Sequence, residues 1–140
     1  MSFFRRGGSK SPAESDPAAL GRRGERIACK FLKRSGMKIL ARNYDCPGGE
    51  VDLIALEPAE KNLDRCDTLV FVEVKTRSSD YYTSPAAAVD RDKRRRLKKA
   101  AQHYRDRRNT DDFAWRFDII SIVIPPGDDP RIEHLVAAFR

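Results

Sequence analysis

The sequence predicts an α/β domain, a mixed central sheet flanked by helices, and three observations carry that reading. Apolar residues recur at helical spacing in two separated stretches, 17–35 and 84–108. Short runs rich in β-branched and aromatic residues lie between and after them. One of these, FVEVK, reads apart from its Glu and Lys as a strand buried on both faces. The resulting order is α-β-β-β-α-β with one further strand at the end. A length of 140 residues with 40% hydrophobic content suits one domain.

Residues 1–15, MSFFRRGGSKSPAES, mix glycine, serine, proline and base and read as a disordered basic tail, leaving 16–140 as a single domain. Asp16 offers an N-cap and Pro17 a first helical position. Leu20, Gly24, Ile27, Ala28 and Phe31 then recur on one side of a helix that Gly36 stops. MKILARN is a first strand, CPGG a turn and the alternating EVDLIAL a second strand, while EPAEKNLDRCD is a polar hairpin loop leading into TLVFVEVKT. After the loop RSSDYYTSP, Ser84 and Pro85 open a second helix that runs to Arg108. WRFDIISIVI is a fourth strand, PPGDDP a tight turn and RIEHLVAAF a last strand at the sheet edge.

Charge narrows the class of partner. The chain carries +7, and the segment Arg91–Arg108 alone holds ten basic residues against two acidic ones. On the predicted second helix Val89, Leu97, Ala100, Ala101 and Tyr104 form one face, and Arg91, Arg94, Arg95, Lys98 and Arg105 the opposite one. Like charge at that density repels itself unless phosphates neutralise it. The apolar face is narrow and alanine-rich, suited to packing on a sheet, so nucleic acid is expected rather than an anionic membrane surface. Lys93 falls on the apolar side, where it either snorkels or reaches toward carboxylates or a bound phosphate. The three cysteines, Cys29, Cys46 and Cys66, form no CxxC pair, so reduced thiols and a cytoplasmic location are expected. No apolar run approaches the roughly twenty residues that span a membrane.

Three charges interrupt the most apolar strands. Asp52 sits between Val51 and Leu53, and Glu73 and Lys75 sit among Phe71, Val72 and Val74. Strand alternation puts Glu73 and Lys75 on one face and Val72 and Val74 on the other. Pairing of the second and third strands would bring Asp52 beside Glu73. Two buried carboxylates repel, and a divalent cation relieves them; such oxygen ligands suit Mg²⁺. A protonated lysine beside them is no ligand, but it can stabilise developing negative charge or orient a water. The plain alternative is a solvated Glu–Lys pair on an exposed face. Glu25, the only acid of the first helix, lies on the flank of its inward stripe, where a rim ion pair with Arg22 is the simpler reading. His103 and His134 have no ligand-spaced partners and are assigned structural roles; Arg116 and Asp118 form an internal ion pair. GRRGER lacks the Lys-Ser/Thr of a phosphate-binding loop.

The stretches GRRGERIACKFLKRSGMKILARNYDCPGGEVDLIAL, TLVFVEVKTRSS, AAAVDRDKRRRLKKAAQHY and WRFDIISI resemble the YraN family of uncharacterised bacterial proteins over residues 20–139. That family is similar in turn to the restriction-endonuclease-like (PD-(D/E)XK) superfamily, especially to archaeal Holliday-junction resolvases. The resemblance implies the αβββαβ core of those nucleases, with its mixed sheet. It implies Glu25 as the helix-borne glutamate, Asp52 as the metal-binding aspartate, and Glu73 and Lys75 as the (D/E)-x-K pair. The proline of the motif is missing; Glu50 and Val51 precede Asp52. The activity so implied is that of an Mg²⁺-dependent endonuclease on DNA, branched or repair intermediates included, with Mn²⁺ as a substitute metal. Asp52, Glu73 and the Val74 carbonyl would hold the metal. Arg91, Lys93, Arg94, Arg95, Lys98 and Arg105 would hold the phosphate backbone, and cutting two strands would require a homodimer. The alternatives are a non-catalytic nucleic-acid-binding module on the same fold and a protein of anionic membrane surfaces.

Overall fold

The computed structural model describes residues 16–62, 65–78, 89–110 and 112–140. The expected tail, 1–15, and most of the loop expected before the second helix lie outside them. In chain order the elements are α1 (Pro17–Arg34), β1 (Lys38–Cys46), β2 (Gly49–Glu57), a short 3-10 turn (Ala59–Lys61), β3 (Thr68–Arg77), α2 (Arg91–Arg108), β4 (Ala114–Val123) and β5 (Arg131–Phe139). The five strands form one sheet in the order β1-β2-β3-β4-β5. β3 and β4 are parallel and the other neighbours antiparallel, so the sheet is mixed. A parallel pair needs a crossover, and α2 lies within it. This is the α/β architecture of the restriction-endonuclease-like core.

α1 starts as its sequence dictates: Asp16 accepts the Ala18 N–H at 3.0 Å, and Pro17 takes the first helical position. The second helix differs from expectation. It begins at Arg91, where Asp90 is the cap and its carboxylate accepts the Lys93 N–H at 2.9 Å; the expected opening at Ser84 and Pro85 lies outside the described residues. Val89 is buried as expected but precedes the helix.

The helices cover opposite faces of the sheet. α1 lays Ala28, Cys29 and Leu32 on Leu53, Val70, Val72 and Ile120. α2 lays Leu97, Ala100, Ala101 and Tyr104 on Ile54, Leu69, Phe71 and Phe117. Each layer has one glycine at its closest approach. A Cβ on Gly24 would lie 1.8 Å from the Thr76 Oγ1 and 2.8 Å from its Cβ. A Cβ on Gly49 would lie 2.7 Å from the Ala100 backbone N and 2.8 Å from the Arg96 carbonyl. These contacts fix how near α1 sits to β3 and α2 to β2.

A polar network closes the other end of β2. Arg116 donates to both Glu57 oxygens, at 3.0 and 2.9 Å, and to Asp118 at 3.0 Å. Asp118, fully buried, also meets His134 Nε2 at 2.8 Å and accepts the Ala137 N–H at 2.9 Å. The Arg116–Asp118 pair and the structural role of His134 are thus as the sequence indicates. Burial alone would raise the Asp118 carboxyl; His134, Arg116 and the Ala137 amide outweigh it and hold the group below its usual range.

Two outcomes test this packing by urea denaturation. Gly24→Ala, which on an open helix would stabilise, is expected to cost about 1–3 kcal/mol, because Thr76 leaves no room. Arg116→Met strands Glu57 and Asp118 without their cation and is expected to cost about 3–5 kcal/mol.

Candidate functional site

β2 and β3 part company midway along the sheet. Their ladder runs from Glu57 opposite Thr68 to Leu53 opposite Val72 and stops. Beyond it β2 continues with β1 as far as Gly49, and β3 continues with β4 as far as Arg77. The sheet therefore forks. The Val74 N–H points into the fork, where an unpaired buried amide would be costly. Asp52 Oδ2 accepts it at 2.8 Å. A strand residue turns its N–H and C=O to the same side, so the Val74 carbonyl faces the fork as well.

Glu73 enters from the α2 face and is only 3% exposed. Lys93, on the first turn of α2, crosses to it and forms an ion pair with Oε1. Burial and then the neighbouring Asp52 carboxylate push the Glu73 carboxyl up to about 7, against the opposing pull of Lys93. Burial alone would lower the Lys93 ammonium; the Glu73 and Asp52 carboxylates outweigh it and raise the group. Lys75 follows on the same face as Glu73, half-buried and in register with Ser121.

Glu25 approaches from the α1 layer. Burial, then Asp52, raises its carboxyl, and a hydrogen bond from Asn43 works the other way. With its amide turned to donate, Asn43 reaches both Glu25 oxygens at 3.2 Å. Asn43 has a left-handed backbone, φ 48°, in β1. No pattern in ARNYD marks it, since only the approach of α1 to β1 gives it a partner.

The structure thus gathers Asp52, Glu73 and Val74 at the fork, places Lys75 on the Glu73 face, and sets Glu25 within electrostatic reach of Asp52. Lys93 takes the inward option left open by the sequence. Of the other basic residues assigned to the outer face of α2, Arg91, Arg95 and Lys98 are exposed. Arg94 and Arg105 are half-buried: their guanidinium groups lie over the Phe139 and Trp115 rings, at 5.1 and 4.7 Å from the centroids. Strands β5 and β4 supply those rings, a contact outside the reach of a helical projection. Arg91, Arg94, Arg95, Lys98, Phe139 and Arg140 help to line a groove of about 1090 Å³ between α2 and the end of β5.

Among the described residues no three His, Cys, Asp or Glu side chains gather as a metal-binding group. The fork offers two carboxylates and a carbonyl. That donor set fits Mg²⁺, which characteristically takes one or two carboxylates and keeps several waters. No helix among the described residues is long and apolar enough to cross a membrane.

The Glu73 carboxyl has a testable consequence. A carboxyl raised in the folded state from 4.5 to about 7 contributes stability that is fully present below about pH 4.5 and lost as pH rises through 7. Urea denaturation in EDTA is therefore expected to show wild type losing about 3 kcal/mol relative to Glu73→Gln between about pH 4.5 and pH 8.

Comparison with known proteins identifies relatives of the chain. The profile of Uncharacterised protein family UPF0102 matches residues 24–122, from α1 through most of β4. A UPF0102 protein of Pelobacter propionicus is 43% identical over 93% of this chain and 89% of its own length. One from Geobacter sulfurreducens is 44% identical over 86% of this chain and 88% of its own. A third, from Nocardia farcinica, is 40% identical over 89% and 91%. With the match extending across nearly all of both chains, this protein belongs to the UPF0102, or YraN-like, family.

Proposed function

We propose that this protein is a metal-dependent endonuclease that hydrolyses phosphodiester bonds of DNA, branched and repair intermediates among its substrates. The observation that carries the reading is the fork: Asp52 and Glu73 meet where β2 leaves β3, with the Val74 amide already held by Asp52. An under-neutralised pair of carboxylates in a fold of this class is a site for a divalent cation and a phosphate.

In this reading Asp52, Glu73 and the Val74 carbonyl hold Mg²⁺, or Mn²⁺ in its place. The metal supplies Lewis acidity to the phosphoryl oxygen and to the attacking water. Lys75, on the Glu73 face, orients that water and stabilises the charge that develops on the phosphoryl oxygens. Glu25 acts from the α1 side, where with Asn43 it orders water around Asp52. Arg91, Arg95 and Lys98 hold the backbone through phosphates, and Arg94 and Arg105, fixed on their rings, present cations at less cost in side-chain order.

A second reading is favoured by one observation. Glu73 already has a counter-charge in Lys93, as a non-catalytic nucleic-acid-binding module on the same fold would require. Cleavage of labelled duplex, single-stranded, flapped and four-way DNA separates the two. With Mg²⁺ or Mn²⁺ the expected result is cutting that EDTA abolishes and that Glu73→Ala reduces by more than about a hundredfold. Salt-sensitive binding with no cutting under any metal would select the binding module instead.

A further inference from the structure

We propose that Lys93 is the resident counter-ion of this centre, an ammonium that holds Glu73 in the metal-free protein and is displaced when a divalent cation binds. The inference rests on the metal-dependent reading above and adds to it a residue that the (D/E)-x-K pattern does not contain.

The geometry sets the two partners in unequal positions. Glu73 is 3% exposed and lies on a strand that pairs along its whole length with β4, so its carboxylate stays where it is. The Lys93 side chain is 28% exposed and lies at the mouth of the fork. Its backbone is fixed by the Asp90 cap, so only the flexible four-carbon stem is free to move. The other charges near this space are Asp52, which keeps the Val74 N–H, Glu50, which is paired with Arg96 at 3.1 Å, and Lys75, which shares the Glu73 face of β3. Lys93 is the cation that reaches Glu73 as an ion pair.

The residue type is informative. α2 carries both cations, with arginine predominating and Lys98 and Lys99 on its exposed side, and the position that enters the fork is lysine. Arginine would grip a carboxylate with a rigid two-pronged fork and compete strongly with a metal for the same oxygens. Lysine offers a single point charge that a dication outcompetes at equal distance, since attraction scales with charge. Once displaced, the ammonium stands beside the incoming phosphate. The exchange keeps Glu73 neutralised throughout, so neither the empty nor the loaded centre buries a bare carboxylate.

Calorimetric titration with Mn²⁺ alone, without DNA, tests this on the full chain. Lys93→Met is expected to bind Mn²⁺ about tenfold more tightly than wild type, and Lys93→Arg about tenfold more weakly. Lys93→Met is also expected to melt lower than wild type in EDTA and to gain more in melting temperature when Mn²⁺ is added. Because Lys93→Arg keeps the charge, its direction reads out even if Lys93→Met folds poorly. Mn²⁺ binding by wild type that neither substitution changes would overturn the displacement role and leave the metal-dependent reading standing. Absence of Mn²⁺ binding by wild type and both variants, with no cleavage, would overturn both.

Discussion

The divergence of β2 from β3 after Leu53 and Val72 governs the organisation of this molecule. Up to that point β3 is an ordinary central strand, hydrogen-bonded on both edges and buried on both faces. Past it, β3 keeps only β4, and an edge that should be paired lies open inside the protein. Asp52 accepts the amide that the missing strand would have taken. This obliges a carboxylate to enter an apolar layer, and Glu73, one residue before that amide, makes a second. The charges that look misplaced in two apolar strands arise from the shape of the sheet.

Asp118 shows that burial alone does not make such a site. It too takes an amide freed by an irregular ladder, that of Ala137, where β5 slips against β4. But Arg116 and His134 surround it, and its carboxyl is held down. Glu73 has one lysine and a carboxylate neighbour, and its carboxyl is driven up. Two buried acids in one sheet are thus displaced in opposite directions by their partners. The first is held by a rigid, multiply bonded arginine and a histidine and serves the fold; the second has a cation on a flexible stem. The two layers meet this second site from opposite faces, at depths that Gly24 and Gly49 set.

Much of this is legible in the sequence because it is periodic or local. The order of elements yields the mixed sheet, Asp16–Pro17 the start of α1, and strand alternation the shared face of Glu73 and Lys75. A hairpin suggests the meeting of Asp52 with Glu73, although that hairpin opens just where the two residues sit. What the sequence withholds is three-dimensional. Asp90 caps α2 at Arg91, because a side-chain cap is decided by geometry rather than by residue type. Asn43 acquires meaning only once α1 lies against β1. Arg94 and Arg105 belong to a helix face by projection but to aromatic rings by contact, and those rings come from strands that lie later in the chain.

One of those rings is the chain's single tryptophan. Trp115 is 43% exposed, lies under the Arg105 guanidinium and packs edge-on against Phe117 at 5.4 Å. It sits at the far end of the basic helix from Lys93, so the indole emission of the protein comes wholly from that end. An anion that meets the Arg105 guanidinium where it lies over the indole changes the field and quenching at this one fluorophore, whereas events confined to the fork leave it unchanged. The fold therefore carries its own optical reporter for occupancy of the basic helix, separate from whatever happens at the carboxylates.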